Sequence, residues 1–182
     1  ELGFELYIKM NESREIYNLI VQNGKDFQLS NCGMLAMDTM RMESGFLHWG
    51  HDISPEENQF ESKLNFAVSF SKNVEFIGKK SLLKIKDQKP SKNFVMLTLD
   101  DSEPGNPLML HDEPIYLDDK IIGRTTSGNY SFNFKKNLAF GYIKEDLTDD
   151  NKEKKIYIEI EKKKYLASII SKPLNQKNFR LF

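Results

Sequence analysis

Phe4, Leu6 and Ile8 alternate with Glu5, Tyr7 and Lys9, and this period of two predicts a strand with one covered face. The period then changes. Ile16, Leu19 and Ile20 recur at helical spacing after Asn11, a residue suited to capping a helix, and Gly24 supplies a C-terminal stop. A second helix is predicted over Met34–Glu43, with Leu35, Thr39 and Met42 along one side and Gly45 past its end. Phe46 to Asp52 mixes aromatic and polar residues without a period. It reads either as a loop wrapped round a site or as a plain surface connection. Asn65–Phe70 reads as a strand and Gly78–Leu83 as a short helix, followed by a charged stretch from Lys84 to Lys92.

Beyond that stretch the pattern becomes one of short strands: Phe94–Leu99, Pro114–Leu117, Ile121–Thr126, Leu138–Ile143, Lys155–Ile160 and Tyr165–Ser171. Turn residues separate them at Pro104–Pro107, Asp118-Asp119, Gly128-Asn129 and Asp149–Asn151, and Glu161–Lys164 joins the last two as a hairpin. Closely spaced strands with turn signals predict a small antiparallel barrel or a sandwich. The fold class is therefore α+β, with an α/β piece over 1–88 and an all-β piece over 89–182.

The 182 residues suffice for one ordinary domain or two small ones, and 13 Phe with 7 Tyr provide the mass for a packed core. Lys+Arg is 26 against Asp+Glu 27, a formal charge of -1, which argues against a general nucleic-acid binder. Lys162-Lys163-Lys164 reads as a solvated turn. Cys32 is the one cysteine, so neither an internal disulfide nor a Cys-based zinc site is expected. No apolar run approaches the roughly 18 residues of a membrane span and no signal peptide is visible, so no membrane association is expected, and a cytoplasmic location is. The chain opens on Glu1 in what reads as a strand already under way, which gives the expectation of a fragment.

Walker, dinucleotide-fingerprint, zinc-protease and nucleophile-elbow signatures are all missing. Thr126-Ser127-Gly128 is read as ordinary turn chemistry at a strand end. Glu5 is either a solvated carboxylate or an acceptor for two parallel N–H groups on the edge of a flat amino-pyrimidinone. Asp38 and Arg41, at i,i+3, can pair on the helix surface. His48, His51 and Asp52 are a weak metal spacing and no metal is expected; Trp49 with Phe46 can instead wall a ring ligand. These residues by themselves name no ligand.

The stretch Glu1–Tyr7 resembles a strand motif of the glycine cleavage T-protein superfamily. Gly33–Asp52, reading GMLAMDTMRMESGFLHWGHD, resembles its helix-and-loop signature, and Phe76–Leu82 the motif that closes its folate-binding region. Leu97–Pro104, His111–Tyr116 and Ile122–Gly128 resemble its C-terminal barrel. Trp49-Gly50-His51-Asp52 with Met37 is most similar to the dimethylglycine and sarcosine dehydrogenase branch, whereas the T-protein carries Arg where Met37 stands.

This resemblance implies a partial folate-binding α/β subdomain over 1–88, a small antiparallel β-barrel over 89–182, and tetrahydrofolate as cofactor. It implies that Glu5 holds the pteridine with Tyr7 close by, that Phe66 offers a ring to the cofactor, and that Trp49 and His51 lie on a loop facing the central cavity. Arg41 matches the second arginine of the helix motif, in a role read as structural. The family's catalytic aspartate falls upstream of this chain, so no catalytic residue is expected here and the isolated chain is expected to be incomplete and inactive. The implied chemistry is one-carbon capture by tetrahydrofolate from a methylated amine or aminomethyl donor, with FAD only in an upstream domain. A free-standing aminomethyltransferase and a folate-binding module without turnover are the alternatives. Self-association through uncovered apolar surface is a further expectation.

Overall fold

The computed structural model describes residues 3–100, 102–144, 147 and 155–175. The chain divides into two compact units, one within Glu1–Met37 and one within Asp38–Gln176.

In the first unit, a 3-10 turn at Met10–Glu12 leads into α1 (Ser13–Gly24), and a second 3-10 turn follows at Lys25–Phe27. The cap of α1 is Glu12 rather than Asn11. Gly24 keeps a right-handed φ of -78, and the left-handed residue that ends the helical run is Gln28, φ 57. The strand predicted over Phe4–Ile8 does not form; residues 3–9 lie outside any regular element. Alternation gives a segment two faces, but a strand also needs a neighbouring backbone to pair with, and no described residue supplies one. The helix α2 (Met34–Glu43) has the predicted limits.

The second unit is built on a closed barrel of six antiparallel strands. They are β1 (Asn93–Leu99), β2 (Pro114–Leu117), β3 (Lys120–Ser131), β4 (Lys136–Ile143), β5 (Ile156–Ile160) and β6 (Lys163–Ile170), in the order β1-β4-β3-β2-β5-β6. Closure removes the exposed edges that a sandwich would leave. Val95, Leu97 and Leu99 of β1 point inward with Ile115, Ile122, Ile143, Ile158 and Ile160. The alternate residues Phe94, Leu138, Phe140 and Tyr142 face outward, where Met42 near the end of α2 covers them. β4 is thus buried on both faces. That outer layer holds the C-terminal part of α2 against the barrel, Phe94 meeting the Phe140 and Tyr142 rings edge-on at 5.3 and 5.7 Å.

Two further expectations fail in this unit. Asn65–Phe70 is a 3-10 turn (Asn65–Ala67) followed by irregular chain, not a strand. Its Phe70 packs against the rings of Phe60 and Phe76 instead of a sheet face. Gly128-Asn129, predicted as a turn, lies inside β3. The turn expected at Asp149–Asn151 lies outside the described residues. A short helix, α3 (Lys79–Ile85), does follow Gly78.

The β5–β6 hairpin turns on two residues, Glu161 and Lys162, with φ of 50 and 65. Positive φ at both central positions is what a type I′ turn requires, and it favours Asn-Gly over side chains with a longer stem. Replacing the pair by Asn-Gly is expected to raise stability by about 1 kcal/mol, or about 2–4 °C in Tm. A thermal melt showing no gain would mean that the left-handed pair is not strained.

Candidate functional site

The geometry with most chemical content lies where α2 runs into the loop after it. Gly45 ends the helix with φ 76, a value favouring glycine, and a side chain there would also run into Pro173, with Cγ 2.6 Å from the added carbon. Phe46 N–H donates back to Arg41 O at 2.8 Å. The chain then folds on itself: His48 O accepts N–H bonds from His51 and Asp52 at 3.2 and 2.8 Å, and Gly50 N–H donates to Ile53 O at 2.7 Å. This tight loop carries His48, Trp49 and His51 outward, with the two imidazoles stacked at 4.5 Å. It turns Asp52 inward.

Asp52 is 1% exposed and both carboxylate oxygens are engaged. Oδ2 accepts the Arg41 Nη1 at 2.5 Å and the His48 N–H at 2.9 Å. Oδ1 accepts the Thr126 and Ser127 hydroxyls at 2.6 and 2.8 Å. The Asp52 carbonyl accepts the Tyr142 hydroxyl at 2.8 Å. A carboxylate this deep is tolerable only when paired and saturated with donors.

Arg41 is equally engaged. Its Nε donates to Asp38 at 2.7 Å, its Nη2 to Ser127 Oγ at 2.8 Å, and its guanidinium lies 5.5 Å from the centre of the Phe140 ring. Asn129 Nδ2 closes the far side by donating to Asp38 at 3.3 Å.

The backbone of β3 explains how two consecutive hydroxyls reach one carboxylate oxygen. Neighbours on a regular strand point to opposite faces. Here the register against β4 shifts between Thr125 and Ser127, so one extra residue is inserted and Thr126 and Ser127 turn to the same side. The expected turn at Thr126-Ser127-Gly128 is therefore a bulge within a strand, and its hydroxyls are partners of a buried charge.

The residues singled out in the sequence fall in two groups. Arg41, Trp49 and His51 belong to the helix-and-loop just described, Arg41 as its part-buried anchor and Trp49, 65% exposed, on its outer side. Phe66 stands on the 3-10 turn Asn65–Ala67 with its ring largely exposed. Glu5 and Tyr7 belong to the first unit, where both are exposed and the Tyr7 hydroxyl donates to Glu5 Oε2 at 2.6 Å. That hydrogen bond to Glu5, with a smaller contribution from burial, holds the Tyr7 phenol above its ordinary value and keeps it a donor.

Other buried carboxylates gave no local sign in the sequence. Glu43, 2% exposed, accepts from Ser131 Oγ at 2.6 Å and Asn133 Nδ2 at 2.8 Å, tying α2 to the β3–β4 hairpin. Glu61 accepts from Ser91 Oγ and the Asn58 N–H. Tyr142 is driven well above the usual phenol range, by burial first and then by the charges of Glu57, Asp52 and Glu61, so it stays a hydrogen-bond donor.

Glu57 pairs with Lys92. Burial pushes its carboxyl up, but the hydrogen bonds from Lys92 and Ser54 and the Lys92 charge outweigh it and leave the value below normal. The folded value thus lies under the ordinary 4.5, so this stabilisation is complete above that pH and is lost as pH falls through the folded value. Lys92→Gln is expected to lower stability at pH 7 and to converge with the parent on the acid side, as read from urea midpoints against pH. A constant offset across the acid range would contradict the pairing.

Comparison with known proteins places this geometry. The sequence matches the GCVT N-terminal domain over residues 1–72 and the glycine cleavage T-protein C-terminal barrel domain over residues 92–175. It is 36% identical over 177 residues to the mitochondrial dimethylglycine dehydrogenase of Homo sapiens, covering 96% of this chain and 20% of that protein. It is 34% identical over 143 residues to an aminomethyltransferase of Symbiobacterium thermophilum, covering 79% of this chain and 37% of the relative. The chain thus spans well under half the length of either. The solved glycine cleavage system aminomethyltransferase T from Bartonella henselae shares the fold, with a TM-score of 0.74 and 24% identity over 87% of this chain and 43% of its own. With both domain matches in chain order and the barrel in common, the chain belongs to the glycine cleavage T-protein family.

Proposed function

We propose that this chain forms part of a tetrahydrofolate-dependent one-carbon transfer module of the kind carried by dimethylglycine and sarcosine dehydrogenases. In this reading residues 1–88 belong to the folate-binding domain and 89–182 to the barrel. The observation that carries it is the 36% identity to a dimethylglycine dehydrogenase sustained over 177 residues, which takes in both matched domains. The substrate of the whole protein would be a methylated amine or an aminomethyl donor. The catalytic aspartate and any flavin would lie outside these residues, leaving the chain inactive by itself. The proposed compartment is the cytoplasm.

Glu5 fits the pterin edge on chemical grounds. Two parallel N–H donors need two oxygens of one carboxylate. Its Oε1 has no partner among the described residues, and Oε2, beside the Tyr7 hydroxyl, retains a lone pair. Tyr7 fixes the rotation of that carboxylate. Trp49 and Phe66 offer exposed ring faces for stacking. Tetrahydrofolate, when bound, supplies the nitrogen that receives the one-carbon unit. The chain's own residues bind and orient it. The side chains of Phe4, Met10 and Phe27, each more than four-fifths exposed, support self-association of the isolated chain.

Titration calorimetry of the complete module with folinic acid tests the reading. Glu5→Ala removes both acceptors, and at about 1.5–3 kcal/mol for each charge-assisted bond the affinity is expected to fall tenfold or more. Unchanged binding by Glu5→Ala would remove the basis for the folate assignment.

A further inference from the structure

The loop after α2 presents a contradiction that points to its use. An apolar ring as large as Trp49 is ordinarily covered, yet it stands 65% exposed. The base beneath it is among the most heavily bonded places in the chain. An arginine, two hydroxyls and a strand bulge converge on the fully buried carboxylate of Asp52. Holding a loop merely closed would not call for a charge network with the ring left outside. Presenting a ring at a fixed angle does, because an aromatic platform binds well only if its orientation is set before the ligand arrives.

We propose that Asp52 is a positioning residue, which through the His48 N–H and its anchors Arg41, Thr126 and Ser127 fixes the Trp49 ring as a stacking face for a flat heteroaromatic ligand. The choice of a folate as that ligand rests on the reading above; the positioning role does not. The path is short. Asp52 Oδ2 accepts the N–H of His48, the residue next to Trp49, and His48 O in turn accepts the N–H of Asp52. The rotation of the Asp52 carboxylate therefore sets the backbone on which Trp49 is carried. Thr126 and Ser127 share its other oxygen and fix that rotation against β3.

Trp49 is the only tryptophan in the sequence, so its emission reports the loop alone. Thr126→Val and Ser127→Ala each delete one hydroxyl donor while leaving the Arg41–Asp52 pair in place. Glu43→Gln is the control. It alters an equally buried carboxylate whose bonded partners, Ser131 and Asn133, lie outside the loop. Steady-state anisotropy and acrylamide quenching of Trp49 are read on this chain well below each variant's Tm, alongside folinic acid titrations of the complete module carrying the same substitutions.

Both hydroxyl variants are expected to lower the anisotropy and raise the quenching, and to weaken folinic acid about tenfold, the equivalent of about one charge-assisted hydrogen bond. Glu43→Gln is expected to lose as much Tm with the Trp49 signals unchanged. Trp49 unmoved in both hydroxyl variants, or moved equally by Glu43→Gln, overturns the proposal. Trp49 moved in the hydroxyl variants while the complete module does not bind folinic acid supports the positioning role and overturns the folate reading. Folinic acid weakened with Trp49 unmoved overturns positioning and leaves the folate reading standing.

Discussion

Arg41→Met is expected to lower the unfolding free energy by about 3–5 kcal/mol, the cost of stranding one member of a buried ion pair. The partner it leaves behind is Asp52, whose side chain has no exposed surface. Two hydroxyls and one N–H would still reach that carboxylate, but no positive charge would. Asp38 would lose its guanidinium as well, at less cost because its side chain is 32% exposed. Against a total stability of about 5–15 kcal/mol for a domain, such a loss is large enough to lower the population of folded chain. Urea denaturation would measure it. A change below about 1 kcal/mol would mean that water reaches Asp52 and that the pair acts as a surface ion pair. The same variant separates two roles for Arg41. Its Nε, Nη1 and Nη2 all donate to protein groups, so any effect of this arginine on a ligand is expected to run through the loop it anchors.

What the sequence disclosed and what it hid divide by the range of the interaction. Pro114–Leu117 and Met34–Glu43 were legible to the residue because a period and a flanking turn residue are local signals. The six strands of the barrel were legible as elements, although β3 runs five residues past its expected end at Thr126, and only their number and closure decide between barrel and sandwich. The pairing of Asp38 with Arg41 was legible because it spans three residues. Asp52 was not, because its partners Thr126 and Ser127 lie 74 and 75 residues away and no spacing rule reaches that far. Two adjacent hydroxyls before a glycine were the available sign, and turn chemistry explained them more simply. Gly128 misled for a related reason. It is glycine inside a strand because a Cβ there would sit 2.7 Å from Leu110 O and 2.8 Å from Met109 Cβ, a close approach that looks, in sequence, like a turn. Phe4–Ile8 and Asn65–Phe70 failed in the opposite direction, showing a strand's composition with no strand beside them among the described residues.

Gly123→Ala is expected to destabilise the barrel by about 3 kcal/mol, the upper end of the usual cost of overpacking. A Cβ on Gly123 would lie 1.9 Å from the carbonyl oxygen of Tyr142 and 2.9 Å from Ile143 Cα, both backbone atoms of β4. A side chain can rotate away from such a clash; a strand inside a closed barrel cannot without parting from its neighbour. Two positions along β4 from Ile143, the partner of Gly123, Gly141 faces the same limit from the other side, with its Cβ position 2.5 Å from Arg124 O. Between these glycines Arg124 pairs with Tyr142, whose hydroxyl holds the Asp52 carbonyl. Strain entered at Gly123 therefore reaches the loop that carries Trp49. A lower Tm together with a change in Trp49 anisotropy is the expected result. A lower Tm with the Trp49 signal intact would show that the barrel absorbs the strain before it reaches Tyr142, and an unchanged Tm would mean that β3 and β4 are not as closely apposed at Gly123 as the structure has them.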